Sequence, residues 1–222
     1  IYIIKHQFNV KNDYLDYPKT LDKDLELLKQ HGCDHLILPD DSILDNIKTI
    51  KAPSKANKLC GLNRPGHFDG VLTILNKFFN IINPNILILG KKDYQQFVLV
   101  KDFIKDKNLN IKTVGVETIR ERNGLAYSSR NTLLSNNNKS IASMLYKVLK
   151  DIELNKGSLS NDLLNSQIKY LTSNGFELDY LDVCDTESLE QSLDIYKKDL
   201  LVAIAAKLNN VRLIDNIVLT KL

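Results

Sequence analysis

Residues 90–96 read "GKKDYQQ" and follow at once on the apolar run "NILIL" (85–89). Gly90 permits close backbone approach of a ligand, and Lys92 can neutralise a phosphate. Asp93 and Gln96 lie three apart, and Lys92 and Gln96 four apart, so all three share one helix face. The same Asp-x-x-Gln spacing is also that of a capping box, and both readings stay open at this level. A second cluster, "NGLAYSSRNTLLS" (123–135), sets Ser128 and Ser129 before Arg130. Two hydroxyl donors and a guanidinium suit a polyphosphate, and the stretch reads equally as a Ser/Asn turn opening a helix. In "NRPGHFDGV" (63–71), Arg64 and His67 flank a Pro-Gly turn, where a single histidine is more often structural than catalytic. His31 and His35 in "HGCDH" have helical spacing, but Gly32 breaks the helix that would align them, and no metal site is assigned. Only five of the 30 basic residues are arginine: Arg64, Arg120, Arg122, Arg130 and Arg212. Arginine suits planar, bidentate contact with phosphate or carboxylate, so each of these positions is informative.

The elements that must hold these groups follow from apolar periodicity. Short continuous runs at 1–4 (IYII), 35–39 (HLILP), 85–90 (NILILG) and 111–117 (IKTVGVE) predict strands buried on both faces of a parallel sheet. Helical patterns lie between them: 20–32, opening on Thr20 and stopping at Gly32; 68–84, ending at a proline; and 93–109. Strands alternating with helices of this length predict βαβ units and an open, Rossmann-like α/β sheet. Such sheets bind ligands beyond the carboxyl ends of their strands, where a helix N-terminus attracts anions. "GKKDYQQ" stands at such an end.

The rhythm changes from about residue 118. Helical stretches at 138–154 and 160–173 precede strand-like runs at 176–183, 200–207 and 211–219, with a hairpin turn at "LNN" (208–210). This predicts a smaller α+β domain with an antiparallel sheet. The boundary falls near Val116–Thr118, giving a Rossmann-like domain over 1–117 and a C-terminal α+β domain over 118–222.

Bulk composition excludes several classes. The 222 residues are 43% hydrophobic, enough for a sizeable core. Thirty basic against 27 acidic groups, net +3, give no nucleic-acid footprint. No apolar run is long enough to span a membrane. Cys33, Cys60 and Cys184 are sparse and scattered, which argues for a reducing, cytoplasmic setting and against a disulfide framework or a cysteine zinc site. The sequence begins at Ile1 inside an apolar run and without Met, so it reads as a fragment or trimmed chain.

"RPGHFDGV", "GKKDYQQ", "GLAYSSRN" and "VRLIDN" (211–216), in this order and spacing, resemble the pantoate–β-alanine ligase family over essentially the whole of 1–222. Four of the five arginines fall at family arginine positions, Arg122 being the exception. The resemblance implies a homodimeric enzyme that uses ATP and Mg²⁺ to make pantoyl adenylate, which β-alanine then converts to pantothenate. It implies no nucleic-acid or membrane partner.

Residue by residue, the resemblance makes Gly90, Lys91, Lys92 and Asp93 the nucleotide stretch, with Lys92 on phosphate and Asp93 near the sugar. It sets the Ile119 backbone against adenine, and Tyr127, Ser128, Ser129 and Arg130 in a mobile loop that grips the triphosphate. Lys92, Ser128, Ser129 and Arg130 are the implied catalytic groups. Gln7 and Gln96 are implied to bind pantoate, with Gln7 also facing β-alanine. Four positions depart from the family pattern: Lys91 and Cys60 each replace a Glu, and Ile4 and Lys5 replace an Asn-Pro. The family's His-x-Gly-His motif, with the first strand and helix, would precede Ile1. The alternative reading is a degenerate or truncated non-catalytic paralogue that keeps the fold and nucleotide binding or dimerisation. Another adenylyl- or cytidylyltransferase fits the two glutamines and the second domain less well.

Overall fold

A computed structural model of the chain describes residues 17–39, 41–45 and 47–222. Among them the first elements are α1 (Leu21–Gln30), α2 (Leu59–Asn63), α3 (His67–Ile82), β1 (Ile86–Gly90), α4 (Tyr94–Asp106) and β2 (Lys112–Val116). There follow α5 (Asn136–Ala142), α6 (Met144–Leu154), α7 (Asn161–Ser173), β3 (Glu177–Asp185), β4 (Leu200–Leu208) and β5 (Val211–Leu219). The chain divides into two compact units, Ile1–Ala52 with Arg64–Pro84, and Pro53–Asn63 with Asn85–Leu222.

In the first unit, Gly66 adopts φ +75°, a conformation that glycine takes without strain, and α3 starts beside it. Helix α3 buries Phe68, Val71, Leu72, Ile74 and Phe79. Asp69 accepts from Lys51 Nζ at 2.8 Å and from the Ala52 amide at 2.9 Å. Burial raises its carboxyl pKa, but these two donors outweigh burial and hold it below the usual carboxylate range. Thr73 Oγ1 takes the Ile50 amide at 2.9 Å. Asp69 and Thr73 together thus form a structural clasp for residues 50–52. Residues 35–39, expected as a strand, form no ladder among the described residues, and Ile37 and Leu38 are exposed. An apolar run is a local signal, whereas a strand exists only with a partner. The strand expected at 1–4 lies outside the described residues.

The second unit contains two sheets. β1 and β2 pair in parallel, Ile86 opposite Lys112 through Gly90 opposite Val116, with α4 as the crossover. Burial along β1 alternates: Ile86 and Ile88 are exposed, Leu87 and Leu89 half-buried. One face is therefore covered where burial on both was expected, and α4 packs on β1. Gly115 of β2 is closely approached, since a Cβ there would lie 2.8 Å from Lys91 Cε and 3.0 Å from the Phe97 ring.

The antiparallel sheet runs in the order β3-β4-β5. Central β4, "LLVAIAAKL", is buried from Leu200 to Ala206. Leu200, Val202, Ile204 and Ala206 join Leu145, Val148, Leu149 and Ile152 of α6 and Leu164 and Leu171 of α7. Leu201 and Ala203, on the opposite face, meet Val98 of α4 and Leu59 of α2. A strand sandwiched between helices must be apolar on both sides, which is why its sequence does not alternate. Asn209 and Asn210, at φ +47° and +64°, close the β4–β5 hairpin as a two-residue turn of the primed kind. The helix expected over 138–154 is interrupted at Ser143, which stands between α5 and α6 and donates its hydroxyl to the Ser140 carbonyl at 2.7 Å.

Candidate functional site

The exit of β1 builds the first part of the site. Gly90 ends the strand, Lys91–Asp93 form one 3-10 turn, and Tyr94 begins α4. Asp93 occupies the N-cap of α4 but its side chain makes no capping bond, so the capping-box alternative is not realised. The two tandem glutamines separate in role. Gln95 is buried and its Nε2 donates to the carbonyls of Lys58 (2.7 Å) and Lys55 (3.1 Å), clasping residues 55–58. Gln96, a helical step further round, is half-buried. Lys91 Nζ pairs with Glu117 at 2.5 Å, immediately past the end of β2. Its charge is therefore offset by a neighbour, while the charge of Lys92 acts on the Asp215 carboxyl.

The second part is the loop after β2. Tyr127 donates its amide to the Ile119 carbonyl at 2.9 Å, and Arg120 bridges Ala126, so two residues implied at the adenine and triphosphate face each other across a narrow hairpin. Their side chains are exposed. The buried Asn131 holds the loop closed, donating to Glu121 Oε1 (2.9 Å) and the Ala126 carbonyl (3.1 Å). Ser128 Oγ accepts the Arg130 amide at 3.2 Å at the start of the Ser129–Leu133 3-10 turn. That uses one lone pair of the hydroxyl and leaves its proton a separate donor. The Ser/Asn turn reading and the donor-cluster reading thus coexist.

Both parts hang on two adjacent residues of β5. Arg120 makes a bidentate pair with Asp215 (2.6 and 2.8 Å), donates to the Gly124 carbonyl (3.1 Å), and lies 3.8 Å over the Tyr146 ring. Burial pushes the Asp215 carboxyl above its ordinary value, with Arg120 pulling against it. Asn216 Nδ2 donates to the carbonyls of Lys91 (3.0 Å) and Lys92 (2.8 Å). Gly124, at φ +92°, lies where a Cβ would fall 2.5 Å from the Tyr146 ring. None of Arg120, Asp215, Asn216 or Tyr146 was singled out as a site residue from the sequence. The one available signal was that Arg120 and "VRLIDN" both belong to the family pattern.

A cavity of about 590 Å³ opens beyond the carboxyl ends of β1 and β2, lined among others by Lys91, Tyr94, Glu117, Thr118, Arg120 and Asn216. Of the sequence-predicted residues that are described, Lys91 alone lines it. Burial raises the Tyr94 phenol pKa, so that group is neutral at physiological pH. Among the described residues no three His, Cys, Asp or Glu side chains gather as a metal cage. Gln7 lies outside the described residues. Arg64 and His67 sit in the other unit, where Arg64 Nη1 approaches His67 Nε2 at 3.2 Å.

Solved structures share this arrangement of sheets. Pantothenate synthetase from Thermus thermophilus matches with TM-score 0.90 at 30% identity, over 97% of this chain and 80% of that chain. Pantoate-beta-alanine ligase from Francisella tularensis, complexed with beta-gamma ATP and beta-alanine, matches with TM-score 0.81 at 34% identity, over 98% and 77%. These likenesses define the class as an α/β enzyme of nucleotidyltransferase-like fold. The Pantoate-beta-alanine ligase family model matches residues 1–218. Pantothenate synthetases from Coprothermobacter proteolyticus and Acidithiobacillus ferrooxidans are each 38% identical, over 96% and 99% of this chain and 78% and 82% of their own lengths. The chain belongs to the pantoate–β-alanine ligase family.

Proposed function

We propose that this enzyme condenses pantoate with β-alanine, using ATP, through a pantoyl adenylate. A carboxylate is a poor acyl donor. In the first step a pantoate carboxylate oxygen attacks the α-phosphorus, the bond to the β,γ-phosphates breaks, and pyrophosphate leaves. In the second the β-alanine amine attacks the acyl carbon, the bond to AMP breaks, and the nitrogen loses a proton. The first step gathers negative charge on the phosphates, so oriented donors and cations there lower the barrier.

The observation that carries this reading is the Gly90–Asp93 turn, which sits at the carboxyl end of β1 and the start of α4, where α/β sheets take anions. Lys92 would neutralise phosphate, Asp93 would meet the nucleotide sugar, and the Ile119 backbone and Tyr127 would flank the base. Ser128, Ser129 and Arg130 would grip the triphosphate from the loop, and Gln96, with Gln7, would orient pantoate. Gln7 would also face β-alanine. Mg²⁺ would arrive as the ATP chelate, since this ion keeps waters and phosphate oxygens as ligands. When bound it would neutralise phosphate charge. The functional division into 1–117 and 118–222, a homodimer and a cytoplasmic setting belong to the same proposal. Three free cysteines suit a reducing compartment.

The test is pyrophosphate release by the purified protein with ATP, Mg²⁺ and pantoate, followed by AMP and pantothenate once β-alanine is added. Lys92→Ala should lower the first step by roughly 10²–10³. Nucleotide binding without pyrophosphate release would overturn the catalytic reading, and full activity in Lys92→Ala would overturn the site assignment.

A further inference from the structure

The turn that carries Lys92 is oriented from outside its own element. Asn216, 8% exposed on β5, places Nδ2 within hydrogen-bond reach of two consecutive carbonyls, those of Lys91 and Lys92. Nδ2 has two protons, so it can serve both. No peptide bond in the described chain is cis, and in a trans peptide the N–H points opposite to the C=O of the same plane. Fixing these two carbonyls toward β5 therefore aims the amides of Lys92 and Asp93 away from it. A single 3-10 turn has poor hydrogen-bond geometry and would not hold that direction by itself. Asn216 is in turn fixed: its carbonyl accepts from Arg120 Nη2 at 3.3 Å, and its amide donates to Asp215 Oδ1 at 2.8 Å. Arg120 closes the frame through its bidentate bond to Asp215.

We infer that Asn216 is a positioning residue for adenylation, aiming the Lys92 and Asp93 amides and the root of the Lys92 side chain at the triphosphate. This rests on the reading that ATP phosphates meet Lys92. The second step, attack of an amine on an acyl carbon, makes no use of that orientation. A misplacement of about 1 Å far from the reacting atoms can cost on the order of 10²-fold. Asn216→Ala should then lower kcat/KM for ATP by roughly 10–100-fold. Amide formation from preformed pantoyl adenylate should stay close to the unaltered rate. Asn216→Asp, which turns an acceptor toward two carbonyls, should lose at least as much. Asn216→Thr, strand-compatible and with one donor proton, provides the measurement where Asn216→Ala does not fold.

A double-mutant cycle with Lys92→Ala separates positioning from gluing. If Asn216 acts through the turn, the loss in the double variant is smaller than the product of the two single losses, because Asn216→Ala can then act only through the backbone amides of positions 92 and 93. Full additivity, or equal loss in both steps together with a lowered unfolding midpoint, would overturn the inference. If Lys92→Ala is severe and Asn216→Ala neutral, the inference alone fails. If Lys92→Ala itself leaves pyrophosphate release unchanged, the underlying site reading fails with it.

Discussion

Ile86 and Ile88 of β1 face outward, while seven consecutive residues of β4, Leu200 to Ala206, are buried between helices on both sides. The two sheets of one compact unit thus divide the labour. β3-β4-β5 holds the bulk of the close-packed apolar surface, and the carboxyl edge of β1–β2 carries the proposed chemistry. The two meet through the apolar packing of α4 on β4 and, at the turn and loop themselves, through polar bonds from Asp215 and Asn216. A site can be positioned accurately by a sheet to which it does not belong.

The sharpest way to break this comparison is a matched pair of truncations. Ile204→Ala should cost about 2–5 kcal/mol of unfolding free energy, the usual range for a fully buried aliphatic side chain. Ile88→Ala, at 65% exposure, should stay within about 0.5 kcal/mol. Urea denaturation of both variants checks this, and comparable losses would mean that β1 contributes to the core as β4 does.

A smaller effect is expected where the sheet supports the loop. Gly124→Ala must take a left-handed φ and push against Tyr146, the ring beneath Arg120. Backbone strain of this kind costs about 1–3 kcal/mol. ATP affinity should fall together with thermal stability. A variant that lost stability but bound ATP normally would disconnect the Arg120 frame from the loop.

The smallest effect concerns the turn that follows β3. Asp185, at the end of β3, accepts the Glu187 amide (3.1 Å), the Ser188 amide (2.6 Å) and hydroxyl (2.7 Å), and pairs with Lys198 at 3.0 Å. Burial alone would raise its pKa, but these donors outweigh it and hold the carboxyl well below the usual range. A depressed folded pKa means that its stabilisation is present above the unfolded value, about 3.9, and fades as pH falls through the folded value. Asp185→Asn should cost about 1–2 kcal/mol at pH 7, with the gap from the unaltered protein narrowing below about pH 4. A gap independent of pH would show that shape and not charge matters at this turn.

What the sequence disclosed and what it hid follow one physical line. The β4–β5 hairpin was legible because its turn lies between its strands, and "LLVAIAA" was legible as a strand because a doubly covered strand has no polar face. The limits of α1, α3, α4 and α7 fell within a few residues for the same local reason. Residues 35–39 misled because an apolar run does not name its partner. The break at Ser143 carries no glycine or proline to announce it. At the site, residue types announced Lys92 and Ser128–Arg130 as candidates. That Arg120 pairs with Asp215, 95 residues on, and Asn216 with Lys91, 125 residues back, cannot be read from either segment alone, although Arg120 and "VRLIDN" both fit the family pattern. The division between Gln95 and Gln96 was hidden too, because only the fold decides which of two neighbouring helical residues faces residues 55–58.

The hairpin turn at Asn209–Asn210 also bears on the order of assembly. Two adjacent residues already suited to left-handed backbone close β4 on β5 with almost no chain to gather, and hairpins of this type form in about 1–10 μs. That closure alone sets Asn216 opposite Ala203 and Asp215 opposite Ile204. The Lys91–Lys92 turn must instead be brought in from more than a hundred residues away, which makes its capture a late event. The template is therefore in register before the segment it aligns arrives, so a slow or faulty docking of 90–93 leaves a folded sheet waiting with its polar edge exposed.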